Sequence, residues 1–234
     1  MALLMAGYKG LGKSFYDIPV MDEAGEKVAE VTHKHPLGFL PAAMLTHLIY
    51  KVVSMNAVQV KRDIKELVSE TVESLDTIFV GKYGQEKDFL ANLTHKAFEL
   101  AENNKPDIEN IKQLGEGWTG DEAWAIALYC TIRHIDSVED AIIAAVNHSG
   151  DSDSTGAICG NIMGAIYGYE SINEQHLCCP KGKKLEDILE LTNIILTLAD
   201  DLYTSCVISE YDPIDTPEKK RWYARYCQMT PDGL

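Results

Sequence analysis

The residues of this 234-residue chain best suited to chemistry lie in Asn147-His148-Ser149-Gly150-Asp151-Ser152-Asp153-Ser154-Thr155. Hard cations such as Mg²⁺ take oxygen ligands, and Asp151, Asp153 and Ser154 offer two carboxylates and a hydroxyl within four residues. The same residue types also cap helices, because Asp and Ser accept the orphan N–H groups of a first turn and a negative charge suits the positive end of the dipole. Three further places put polar groups among apolar segments. In Thr32-His33-Lys34-His35-Pro36-Leu37-Gly38, His33 and His35 could ligate a metal or hydrogen-bond a ligand, or they could be exposed or capping. Gly115-Glu116-Gly117-Trp118 offers backbone N–H groups and an aromatic platform, suited to an anionic or sugar-bearing ligand. Its alternative is a tight turn with Trp118 packed in the core. Asn147 either orients a ligand or satisfies the end of the helix before it.

The elements that must position these groups all read as helices. Glu23–Val31 has the pattern of a short helix, and residues 7–35 otherwise read as loop, broken by glycine and Pro19. Pro41 is expected in the first turn of an apolar helix running through Ala42 to Tyr50. From Val58 to Phe79 the apolar positions Val60, Ile64, Leu67, Val68, Val72, Leu75 and Ile78 recur at helical spacing, and residues 85–103 repeat the pattern. After a connection, Thr119 and Glu122 stand at capping-box distance ahead of Ala123-Trp124-Ala125-Ile126-Ala127-Leu128-Tyr129, apolar nearly all round and so expected in the interior. Ser137 with Asp140 marks the start of the helix that ends at the Gly150-Asp151 turn. Beyond the turn, Gly156, Gly160, Gly164 and Gly168 share one stripe, which predicts a neighbouring backbone at close range. A last helix is expected over Lys184–Tyr203, then an irregular tail from about 212. No strand alternation and no internal repeat emerges, and one all-α domain over 1–234 is expected.

Composition sets the remaining bounds. A formal charge of −15 argues against nucleic-acid and anionic-membrane partners, both of which need a basic face. The six cysteines include no Cys-x-x-Cys pair, so buried reduced thiols are expected, with the cytoplasm as the default location in the absence of a targeting segment or a membrane-length span.

Three ordered segments together resemble the ADP-ribosylglycohydrolase family: Thr32-His33-Lys34-His35-Pro36-Leu37-Gly38, Leu114-Gly115-Glu116-Gly117-Trp118 leading into Asp121-Glu122-Ala123, and Ala145-Val146-Asn147-His148-Ser149-Gly150-Asp151-Ser152-Asp153-Ser154-Thr155-Gly156-Ala157-Ile158. The resemblance runs from about Asp17 to Tyr167. It implies an orthogonal all-α bundle that hydrolyses ADP-ribosyl linkages with two Mg²⁺ ions. It also implies that Asp151, Asp153 and Ser154 are metal ligands and that His33 helps hold ADP-ribose, with Gly115, Glu116, Gly117, Trp118 and Asn147 beside it. The family also carries a Thr-Asp-Asp-Thr metal motif and a glycine-rich loop in an N-terminal half, and this chain contains neither. The expectation is therefore a fold incomplete at the N-terminus and a partial metal site. Little hydrolase activity is expected from this chain alone, and a complementary chain, self-association or a non-catalytic binding role is expected instead.

Overall fold

In the computed structural model, residues 18–174 and 184–207 are described, together with positions 217, 220, 221 and 224. Every regular element among them is a helix. They are α1 (Ile18–Glu30), α2 (Pro36–Val52), α3 (Ala57–Ile78), α4 (Gly84–Glu102), α5 (Asp107–Leu114), α6 (Gly120–Arg133), α7 (Val138–Val146), α8 (Ser152–Tyr167), α9 (Tyr169–Glu174), α10 (Leu185–Ile188) and α11 (Thr192–Val207). None is long and apolar enough to cross a membrane. Asp17, Cys178, Cys179, Cys227 and most of the tail beyond 212 lie outside the described residues, as does the Cys206 side chain.

The bundle is organised around α6. It touches α2, α4, α5, α7 and α8, and from Ala123 to Thr131 every side chain is buried, as a helix apolar all round must be. Trp124 and Tyr129 are among the largest fully buried side chains, each contributing on the order of 2–3 kcal/mol of apolar burial. The polar atom of Trp124 is satisfied as well, its indole N–H donating to Thr94 Oγ1 at 3.2 Å. On α3 the expected stripe of Val60, Ile64, Leu67, Val68 and Leu75 faces inward. That helix opens on a capping box formed by Asn56 and Gln59.

Several elements depart from the sequence reading. Helix α1 begins well before Glu23, because tertiary contacts hold it: a Cβ on Gly25 would lie 2.6 Å from Thr46 Oγ1 and 2.8 Å from the Ala42 carbonyl. Gly25 is thus the crossing point of α1 over α2, not a break. Pro36, not Pro41, opens α2, and Pro41 lies inside it. Having no N–H, Pro41 leaves the Leu37 carbonyl without its intrahelical donor, and that carbonyl faces Gly120, where a Cβ would meet it at 2.8 Å. The connection before α6 contains the short helix α5. The expected capping box at Thr119 does not form, since the Thr119 side chain makes no capping bond. Nor, among the described residues, does a neighbouring backbone approach the glycine stripe of α8. A Cβ on Gly156 would meet the side chain of Val146, one on Gly160 that of Ile142, and one on Gly164 no described residue within 4 Å. The expected last helix divides into α10 and α11 at Leu191, which adopts a left-handed φ of 57°.

Candidate functional site

The Asn147–Asp151 turn links α7 to α8. Asp151 stands at the N-cap of α8, yet its carboxylate makes no capping hydrogen bond of good geometry. Hydrogen bonding with Asp153, and next with the Ser154 hydroxyl, holds the Asp151 carboxyl below the usual carboxylate range. Asp153 is exposed, and Asp151 and Ser154 are half-buried. An ionised carboxylate, a second carboxylate and a hydroxyl make an oxygen-only donor set that fits a hard cation in kind. In number it would supply only part of a coordination shell, and no group of three or more His, Cys, Asp or Glu side chains gathers among the described residues.

The turn is joined directly to the Gly115–Trp118 loop. The Asp151 N–H donates to the Glu116 carbonyl at 2.7 Å. A Cβ on Gly150 would lie 1.7 Å from that same oxygen, so only glycine allows the approach. Gly117, with φ of 83°, lies against Asp151 and Thr155, where a Cβ would come within 3.3 Å of the Asp151 carbonyl. The loop is held from its other side by Glu122. One oxygen of that carboxylate accepts from the Glu116 N–H at 3.2 Å and the Gly117 N–H at 3.0 Å. The Gly115 N–H is taken by the Ile111 carbonyl. These N–H groups are therefore already taken and are not offered to an anionic ligand, one of the two alternatives left open by the sequence. Nor does Trp118 pack in the core. It is 67 % exposed, with its indole N–H donating to the Glu116 carboxylate at 3.2 Å, which leaves the ring as an open aromatic surface beside the acidic turn.

The third segment meets the same end of the bundle through α6. Gly120, two residues before Glu122, packs against the Leu37 carbonyl and Gly38. His33 is exposed, its Nδ1 2.8 Å from Thr32 Oγ1, and a Cβ on Gly38 would meet its Cβ at 2.9 Å. His35 caps α2, accepting from the Leu37 N–H at 3.2 Å. Asn147 closes α7, its amide donating to the Ile143 carbonyl at 2.8 Å, the structural one of its two roles. The His33–Gly38 segment thus borders the first turn of α6, the Gly115–Trp118 loop leads into it, and the acidic turn joins them through that loop.

Residues to which the sequence reading gave no site role hold this arrangement. Glu122 clamps the loop, a role concealed by its capping-box spacing. His148 lies beneath the acidic turn with both ring nitrogens engaged. Deeper in the bundle, fully buried Asp22 accepts at Oδ2 from Ser74 Oγ at 2.8 Å and lies 3.0 Å from His47 Nδ1. This group joins α1, α2 and α3, while Asp22 Oδ1 and His47 Nε2 have no partner among the described residues. The short-range pattern carries no sign of it, since its members are 25 and 52 residues apart.

Comparison with known proteins gives one family. A sequence profile of the ADP-ribosylglycohydrolase family matches residues 11–209. The chain is 23% identical over 196 residues to the ADP-ribosylhydrolase ARH3 of Bos taurus, covering 77% of this chain and 53% of that protein. To the ADP-ribosylhydrolase ARH3 of Mus musculus it is 24% identical over 197 residues, covering 77% and 52%. To that of Homo sapiens it is 22% identical over 194 residues, covering 77% and 53%. The chain spans about half the length of these curated relatives. No solved structure matches it.

Proposed function

The chain belongs to the ADP-ribosylglycohydrolase family, and on that premise we propose that its acidic turn is the Mg²⁺-binding part of a site for ADP-ribose or ADP-ribosylated side chains. The supporting observation is the hydrogen bond from the Asp151 N–H to the Glu116 carbonyl, which sets a carboxylate-rich turn against a loop bearing an exposed aromatic ring. Asp151, Asp153 and Ser154 hold the ion as ligands and are not the acid and base of the reaction. When bound, Mg²⁺ supplies charge that polarises the ribose hydroxyls and helps order an attacking water. Trp118 offers its face to a flat ring of the ligand, Glu122 keeps that loop in place, and His33 lies on the side bordered by α2. Hydrolysis of the ADP-ribosyl linkage is the reaction class this reading assigns.

A second reading has an observation of its own in its favour. With no group of three metal-binding side chains among the described residues, the chain binds ADP-ribose without cleaving it, unless a second chain or copy supplies further ligands. Titration calorimetry and thermal melting with Mg²⁺ and free ADP-ribose test the shared premise. Ligand at about a hundredfold over Kd is expected to stabilise the protein by about 2.7 kcal/mol. Asp151→Asn abolishes the Mg²⁺ dependence, and Trp118→Ala weakens ADP-ribose binding without lowering the melting temperature. No response from the wild type would refute both readings. Release of ADP-ribose from a modified peptide then separates them.

A further inference from the structure

The Gly150 N–H donates to His148 Nδ1 at 3.1 Å, so that nitrogen presents its lone pair and carries no proton. The proton of the neutral ring is therefore on Nε2, which lies 2.8 Å from Thr155 Oγ1 and donates to it. The buried Thr155 hydroxyl passes its own proton toward the Ala145 carbonyl at 2.7 Å. A one-directional series of hydrogen bonds thus runs from the turn, through the ring, into the first turn of α8 and back to the last turn of α7. A doubly protonated ring would set an N–H against the Gly150 N–H and break the series at its start.

We infer that His148, as its Nε2–H tautomer, is the positioning residue of the acidic turn. By holding the Gly150 N–H it keeps Gly150 seated against the Glu116 carbonyl, and so sets the neighbouring Asp151 and, across the start of α8, Asp153. The role is local to the turn. Thr155 Oγ1 is also 3.2 Å from the Asp151 carbonyl and 3.3 Å from that of Ser152, in addition to Ala145. The start of α8 therefore stays satisfied without the ring, whereas Gly150 loses its side-chain acceptor. The effect on Mg²⁺ rests on the cation reading above, while the tautomer and the Gly150 contact do not.

The test uses the full chain and three variants, His148→Ala, His148→Asn and His148→Gln. Asparagine can place Oδ1 where Nδ1 stood and accept from Gly150, whereas glutamine reproduces only the farther nitrogen. A long-range ¹H–¹⁵N spectrum at pH 8 is expected to show one bare and one protonated ring nitrogen for His148, assigned by the loss of its signals in the variants. Hydrogen exchange at the Gly150 amide is expected to rise about fivefold in His148→Ala, the equivalent of one hydrogen bond, and Mg²⁺ affinity to fall by about the same factor. His148→Asn restores most of both, and His148→Gln does not. A protonated Nδ1, or a Gly150 amide equally protected in His148→Ala, overturns the inference. If the wild type takes up no Mg²⁺, the cation reading alone falls, and the ring spectrum with the Gly150 exchange still decides the role of His148.

Discussion

Replacing Gly150 by alanine would set a methyl group 1.7 Å from the Glu116 carbonyl oxygen, 2.5 Å from its carbonyl carbon and 2.8 Å from its Cα. All three are backbone atoms, so no change of rotamer relieves the contact. To regain an ordinary separation, the turn and the loop must part by more than an ångström, which takes the 2.7 Å bond from the Asp151 N–H to the Glu116 carbonyl beyond hydrogen-bonding range. Leaving those groups without each other costs about 1–3 kcal/mol, and displacing backbone in a packed region costs a further 1–3 kcal/mol or so. At about 2–4 °C per kcal/mol for a chain of this size, the melting temperature of Gly150→Ala should fall by roughly 4–24 °C. Gly164→Ala is the matched control. It lies on α8 with nothing among the described residues within 4 Å of a new Cβ, so removing the helix cost of glycine should stabilise by about 0.5–1 kcal/mol. Thermal melts followed by circular dichroism compare the three proteins. A Gly150→Ala protein melting with the wild type would refute the claim that the turn and the loop are sutured at this point.

The buried Asp22–His47 contact should show strong coupling. Asp22→Asn and His47→Gln are each expected to lose about 2–4 kcal/mol, because each leaves a buried polar partner badly satisfied. The double variant should lose much less than the two together, and additive losses by urea denaturation would show that the contact contributes nothing. Stability should also decline in alkali through Cys159. Burial pushes this thiol up to about 11 from 9.0, against a smaller opposing effect of its contact with Thr131. The folded state therefore keeps a proton that the unfolded state releases. The resulting contribution is fully present below about pH 9 and is lost as pH rises to about 11, roughly 3 kcal/mol in all. Urea midpoints measured from pH 8 to 11 should decline less steeply for Cys159→Ala than for the wild type, and equal slopes would exclude Cys159 as a cause.

How much of the molecule was legible beforehand depends on the range of the interaction involved. The all-α class, the inward stripe of α3, the interior position of α6 and the Ser137 cap of α7 follow from periodicity and capping, which act within a few residues along the chain. The order of the three segments was legible in the same way and was enough to suggest the family. Their meeting at one end of the bundle was not, because it depends on Leu37 reaching Gly120, and Asp151 reaching Glu116, across long stretches of chain. The same holds for the errors. Thr119 and Glu122 have the spacing of a capping box, but the Glu122 carboxylate finds two N–H groups in the preceding loop. Four glycines in register suggested a backbone neighbour, where the described residues bring only the Val146 and Ile142 side chains. Residue types and local spacing thus determined the helical class, most of the helices and which turn carries the paired carboxylates. Only the tertiary structure decided which N–H groups are already taken, which aromatic ring is exposed and which histidine sits under the turn, because hydrogen-bond partners and burial are set by neighbours in space.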